Sequence, residues 1–184
     1  MNRDQLNRRI LWITQTAILT ALLIVCQAVT APLGNSFITG SLVNMMLIIS
    51  VMTCGLATGI TVSVLSPVVA LFMGMSPFPV FVPFIILGNI TLVILWHLIG
   101  NRELKQKYLA YILALISAAI GKFLVLFLGI VQVVIPFLMT LPPAQATVLS
   151  TMFSTSQLIT ASIGGVIAIF LLPTLKKIMN KRHR

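Results

Sequence analysis

Tyr108-Leu-Ala-Tyr-Ile-Leu-Ala-Leu-Ile-Ser-Ala-Ala-Ile-Gly-Lys-Phe-Leu-Val-Leu-Phe-Leu-Gly-Ile-Val-Gln-Val-Val-Ile135 decides the class of fold. A bilayer is crossed by about 20 predominantly apolar residues in a helix, and this run exceeds that length with a single charge, Lys122. Its surplus points to a tilted or kinked helix. The basic segment 100–107 precedes it, and Pro136 follows it.

Comparable apolar stretches lie on both sides. Spans are read at about 10–30, 41–54, 59–73, 81–99, 108–135 and 152–172, which makes residues 1–184 one six-helix membrane domain. The first resembles a signal peptide, with a basic leader and Val29-Thr30-Ala31 at its end, but it is longer than a signal core and reads as a retained helix. The stretch 41–73 divides softly around Cys54-Gly-Leu-Ala-Thr-Gly59, and one long kinked span is the alternative there. Gly74-Met-Ser-Pro-Phe-Pro79 is a loop, because proline restricts its predecessor and donates no backbone hydrogen bond. Residues 136–146, with Pro142-Pro143, form the longest connection, and Pro173 ends the last helix.

Composition agrees. Of 184 residues, 59% are hydrophobic and 8% charged, and the mean hydropathy is +1.11. A soluble domain carries roughly 25% charged residues. The fold class is therefore an all-α integral membrane protein with six transmembrane helices, and no length remains for a soluble domain.

The net charge of +10 raises the question of nucleic acid, and its distribution answers it. Of the twelve basic residues, all but Lys122 flank apolar runs: Arg3, Arg8 and Arg9; Arg102, Lys105 and Lys107; Lys176, Lys177, Lys181, Arg182 and Arg184. Short basic segments of this kind mark the cytoplasmic side and favour anionic lipid headgroups. Both termini and the loops near 56 and 104 are accordingly assigned to the cytoplasm. The loops near 35, 76 and 142, which carry no charge, face outward. No internal repeat is found, so an inverted-repeat transporter receives no support.

Several chemistries are excluded by what is missing. Asp4 and Glu103 are the only acids, both in cytoplasmic segments, so no embedded carboxylate can relay protons or bind sodium. His97 and His183 lack the partners a metal site needs, and Cys26 and Cys54 fall too far apart along the membrane normal for a disulfide. No phosphate-binding glycine loop is present. The reading is of a protein that is not an enzyme and holds no cofactor and no metal.

Lys122 is the sharpest positive signal. It lies roughly 21 Å along the helix from the basic loop at 1.5 Å per residue, too deep to reach the headgroups. An ammonium at that depth costs about 2.5–3.5 kcal/mol, so it should face the protein interior with a partner. That partner is either a set of carbonyl and hydroxyl oxygens or an anionic ligand. Polar side chains recur at comparable depth: Asn44, Asn89, Gln132, Gln157 and Thr160. Each is either interhelical glue or a ligand contact. With Phe81, Phe84 and Phe153 they suggest an aromatic-walled polar pocket open to the outside. Small residues four apart form a second pattern: Ala17 with Ala21, Ala114 with Ala118, Ser117 with Gly121, and Ala161 with Gly165. Such spacing lets helix backbones approach, mostly within the bundle.

The chain resembles the substrate-binding S components of energy-coupling factor (ECF) transporters over nearly its whole length. The likeness is carried by Gly40-Ser-Leu-Val-Asn44, Thr53-Cys-Gly-Leu-Ala-Thr-Gly59, Phe84-Ile-Ile-Leu-Gly-Asn89, Lys122-Phe-Leu-Val-Leu-Phe127, and Phe153-Ser-Thr-Ser-Gln-Leu-Ile-Thr-Ala-Ser-Ile-Gly-Gly165. The resemblance implies a multi-pass protein of the bacterial cell membrane. It implies tight binding of one vitamin or precursor on the outer side, in a pocket built mainly from helices four to six and the outer loops. It also implies delivery together with a transmembrane coupling protein and two cytoplasmic ATPases, with Ala17 and Ala21 as the docking pair. Among substrates it points first to the pyridoxine or hydroxymethylpyrimidine type and next to pantothenate. A non-transport scaffold or small channel is the competing reading; it accounts for the spans but not for a lone buried lysine among amides.

Overall fold

A computed structural model of the chain describes residues 3–75, 78–102 and 107–182, with side chains given for most of these. Ser76 and Pro77 of the 74–79 loop, Glu103, Lys105, His183 and Arg184 of the sequence reading lie outside the described residues, as do the side chains of Asp4, Lys107, Lys181 and Arg182. Every regular element among the described residues is helical. The main helices are α1 (Arg3–Thr30), α2 (Ser36–Cys54), α3 (Leu56–Phe72), α4 (Val82–Gly100), α5 (Lys107–Leu126), α6 (Pro143–Met152) and α7 (Thr155–Arg182). Short 3-10 turns at Ala31–Leu33 and Pro79–Phe81 lead into α2 and α4.

Five helical segments are long and apolar enough to cross a membrane: Gln5–Leu33, Ser36–Cys54, Pro79–Gly100, Tyr108–Leu138 and Pro143–Ile178. The sixth, α3, is apolar but has 17 residues, about 26 Å of helix against a hydrocarbon core of about 30 Å. The division at 54–59 is a break at one residue. Gly55 has φ of 90°, a left-handed geometry that costs a side-chain-bearing residue, and its N–H still closes α2 by donating to the Val51 carbonyl.

Cross-helix neighbours fix the directions. Thr16 meets Thr58 and Gln27 meets Ser66, so α1 and α3 run parallel. Gly40 lies against Thr160 and Gly164 against Asn44, so α2 and α7 do as well. Gly88 faces Leu126 while Gly121 faces Thr91 and Leu95, so α4 and α5 are antiparallel. Consecutive spans therefore alternate. The start of α1 and the end of α7 share one end of the bundle, and the 31–35 and 139–154 connections share the other with residues 73–75 and 78–81.

The packing separates into two apolar clusters. One, toward the end with the termini, includes Leu47, Leu92, Trp96, Tyr111, Ala114, Ala118 and Leu172. The other, toward the opposite end, joins Phe81, Leu126, Ile130, Val134, Leu149 and Phe153. Outside them lies a belt of exposed large apolar residues, among them Ile18, Ile116, Leu124 and Phe170, which in water would be a liability and in lipid is the expected surface.

Three local features depart from the sequence reading. The fifth span does not stay α-helical to its end. From Phe127 to Leu138 it winds as a wider π-helix that carries Pro136 inside it, and the looser hydrogen-bond ladder accommodates a residue that an α-helix excludes from its interior. The 136–146 connection contains the start of α6, which opens on Pro143, where a missing N–H is harmless. Pro173 does not end α7, which continues to Arg182. A proline removes one hydrogen bond and kinks a helix, and the basic turns beyond it can still propagate.

Candidate functional site

Lys122 of α5 is 4% exposed, and its Nζ donates to Asn44 Oδ1 at 2.6 Å and to Asn89 Oδ1 at 2.8 Å. One buried cation thereby ties α5 to α2 and α4. Asn44 Nδ2 donates to Thr160 Oγ1 at 3.4 Å, which brings in α7, and the Thr160 hydroxyl donates to the Gln157 carbonyl at 3.2 Å. Gln157 Nε2 in turn donates to the Met152 carbonyl at 3.1 Å. A burial that costs several kcal/mol for a bare ammonium is offset here by two short bonds to amide oxygens. The positive charge itself finds no acid among the described residues.

The backbone makes this network possible at the α2–α7 crossing. A Cβ added at Gly164 would lie 2.5 Å from the Ser41 carbonyl oxygen and 2.9 Å from both Asn44 Cβ and Met45 N. Only glycine lets α7 come this close to α2, and that approach sets where Asn44 stands relative to Lys122.

Beside the lysine is a cavity of about 320 Å³, open at the end of the bundle opposite the termini. That volume falls in the range of small-molecule sites. Its floor is Lys122 and Asn89, its walls include Gln27, Val43, Ser66, Pro67, Ala70, Ile85, Leu126 and Phe153, and Asn35, Thr39 and Gln157 stand nearer the mouth. Ser66 Oγ donates to Gln27 Oε1 at 3.3 Å across the α1–α3 seam.

Of the residues singled out in the sequence, Lys122, Asn89, Gln157 and Phe153 line the cavity. Asn44 and Thr160 stand behind the floor in the same network. Phe81 is fully buried and braces Phe153 edge-on, with ring centroids 5.0 Å apart. Phe84 and Gln132 are not drawn in. Phe84 packs over Gly129 and the second apolar cluster, while Gln132 is exposed on the π-helical stretch. The cavity is also broader in origin than helices four to six: the end of α1, the start of α2 and the second half of α3 all line it. Gln27, Asn35, Ser36, Thr39 and Ser66 are the polar lining residues the sequence reading passed over. The available signal was modest, since Gln27 is the one amide in the second half of α1 and Ser66 precedes a mid-helix proline.

The small-residue pairs divide between inside and outside. Ala114, Ala118 and Ala161 are buried, and Gly165 lies against Leu115 and Trp96. Ala17 and Ala21 are exposed on α1, next to Ile18 and Leu22.

A family model of ECF transporter substrate-specific components matches residues 12–176. The chain belongs to this family. No curated protein and no solved structure matches the chain significantly. S components are substrate-binding transport subunits, not enzymes, and this one is a multi-pass membrane protein whose matched region includes every residue lining the cavity. Membership gives the buried lysine a setting, because an intramembrane charge is the kind of group that marks a substrate path.

Proposed function

We propose that this S component is the high-affinity binding subunit of an ATP-driven ECF vitamin importer, taking up a small vitamin or vitamin precursor from the outer side. Its six helices form a single domain, with α3 as a short sixth span and both termini in the cytoplasm. The cavity beside Lys122 is the substrate site, and it opens outward. Lys122, Asn89, Gln157 and Phe153 contact the ligand, Asn44, Thr160 and Phe81 hold those contacts in place, and Phe84 and Gln132 stay outside it. Release and ATP hydrolysis belong to a transmembrane coupling protein and two cytoplasmic ATPases, which dock on the α1 face bearing Ala17 and Ala21. The ligand is of the pyridoxine or hydroxymethylpyrimidine type, or it is pantothenate.

One observation carries this reading: a buried lysine at the floor of a vitamin-sized cavity, with no acid beside it among the described residues. A scaffold or channel has no use for a charge that is costly until something anionic or strongly accepting arrives. Thermal unfolding of the purified protein with each B vitamin in turn tests it. One compound should raise the melting temperature at micromolar concentration. A panel in which none does leaves the scaffold reading in its place.

A further inference from the structure

The hydrogen bonds at the cavity floor have a direction, and it limits the ligand. An ammonium only donates. Lys122 therefore obliges both asparagines to turn their oxygens toward it, and the 2.6 and 2.8 Å contacts show both doing so. Their amide nitrogens must then point elsewhere. Asn44 Nδ2 is taken by Thr160, whereas Asn89 Nδ2 has no protein partner among the described residues, although Asn89 is 2% exposed and lines the cavity. With two of three protons used, Lys122 keeps one for the cavity it lines. Both asparagine oxygens at the floor are turned to Lys122, and the groups left facing the cavity include two N–H donors beside an uncompensated positive charge.

Nearer the mouth an acceptor is available. Gln157 commits one Nε2 proton to the Met152 carbonyl, which fixes its amide with Oε1 left as an acceptor. Between floor and mouth, Val43, Ile85 and Leu126 offer only apolar contact.

We infer that the ligand is a small amphipathic monocarboxylate. Its carboxylate accepts from Lys122 Nζ and Asn89 Nδ2, its apolar middle lies along the aliphatic wall, and a hydroxyl or amide near the mouth donates to Gln157. This rests on the cavity being the substrate site. A carboxylate brings acceptors only, and its charge compensates the lysine. A pyridine or pyrimidine alcohol can also accept, through a ring nitrogen or a hydroxyl oxygen, but it brings no net negative charge to compensate Lys122, and an organic cation would face the lysine directly. The chemistry thus favours the pantothenate class over the pyridoxine class.

Titration of the purified protein with matched acid and neutral pairs tests the assignment: pantothenate against panthenol, nicotinate against nicotinamide, and biotin against biotinamide, with pyridoxine and aminohydroxymethylpyrimidine alongside. One acid should bind, and its neutral counterpart should bind at least about tenfold more weakly. Lys122→Met should erase that ratio, a readout that does not depend on absolute stability. Asn89→Asp gives Lys122 an internal carboxylate and should abolish acid binding while the protein stays folded. Binding of pyridoxine or the pyrimidine in preference to every acid overturns the carboxylate assignment and leaves the vitamin site standing. So does an acid bound equally well by Lys122→Met. If no compound of either kind binds, the substrate-site reading falls as well.

Discussion

Replacing Gly164 with alanine adds one methyl group where α7 meets the backbone of α2. Its Cβ would stand 2.5 Å from the Ser41 carbonyl oxygen, with Asn44 Cβ and Met45 N each at 2.9 Å. A carbon and a carbonyl oxygen need about 3.3–3.6 Å, so α2 and α7 must part by about 1 Å. The obstructing atoms belong to the α2 backbone or to the root of a side chain, and no rotamer change relieves them. Overpacking of this kind costs about 1–3 kcal/mol. Asn44 rides on α2, so its Oδ1, now 2.6 Å from Lys122 Nζ, moves toward the limit of a hydrogen bond. Loss of that bond removes about 1.5–3 kcal/mol more and leaves Lys122 poorly aimed. Ligand affinity should fall by roughly 10–150-fold. Gly165→Ala is the control, because its Cβ meets Leu115 Cγ and Cδ1 at 3.1 Å and Trp96 Cζ2 at 3.4 Å, all side-chain atoms. Leu115 can turn aside, so that variant should stay within about 1 kcal/mol of wild type. Thermal unfolding and ligand titration of both proteins in one detergent decide the matter. Equal melting temperatures for the two variants, or wild-type affinity in Gly164→Ala, would refute the reasoning.

Ser41→Ala should raise stability by about 1 kcal/mol, because Ser41 Oγ is buried with no hydrogen-bond partner and its removal leaves nothing unpaired; a lowered melting temperature contradicts this. Replacing Ala17 and Ala21 together with tryptophan should abolish uptake in cells while leaving binding by the purified subunit nearly unchanged, since both are exposed on α1. A parallel loss of binding and uptake would make them internal packing instead. In a background without Cys26 and Cys54, a cysteine at exposed Gln145 on α6 should react with an impermeant maleimide on intact cells. Labelling only after permeabilisation reverses the topology.

The membrane class was legible because it rests on bulk quantities. A long apolar run with one charge has few alternatives, and basic residues collected at helix ends read out the same way whatever the packing inside. Lys122 was legible for a related reason: depth alone makes a charge conspicuous. The exceptions are local. Pro136 and Pro173 both sit inside helices, and the rule that proline ends a helix assumes an α-helix with nothing around it to satisfy the freed carbonyl. Gly164 shows a different blindness. The spacing of Ala161 and Gly165 draws attention to one face of α7, whereas the backbone contact with α2 is made by the glycine between them. Periodicity identifies a small-residue face but does not say which neighbour presses against it.

The cavity takes this one step further. A list containing Lys122, Asn44, Asn89 and Thr160 leaves each amide free to be glue or ligand contact, because an asparagine donates and accepts equally well. Geometry breaks that symmetry through the lysine, which can only donate. Asn44 is thereby committed to the protein on both sides, to Lys122 through its oxygen and to Thr160 through its nitrogen. Asn89 is committed on one side only and keeps its nitrogen for the cavity. The two residues are chemically identical and similarly buried, yet their exchange partners predict different losses. Asn44→Leu unseats the lysine and should reduce stability and affinity together. Asn89→Leu unseats it as well and also removes a donor from the ligand, so affinity should fall further for the same loss of stability. Unfolding and titration of the two variants side by side measure that difference, and identical affinities would mean that the Asn89 nitrogen never meets the ligand.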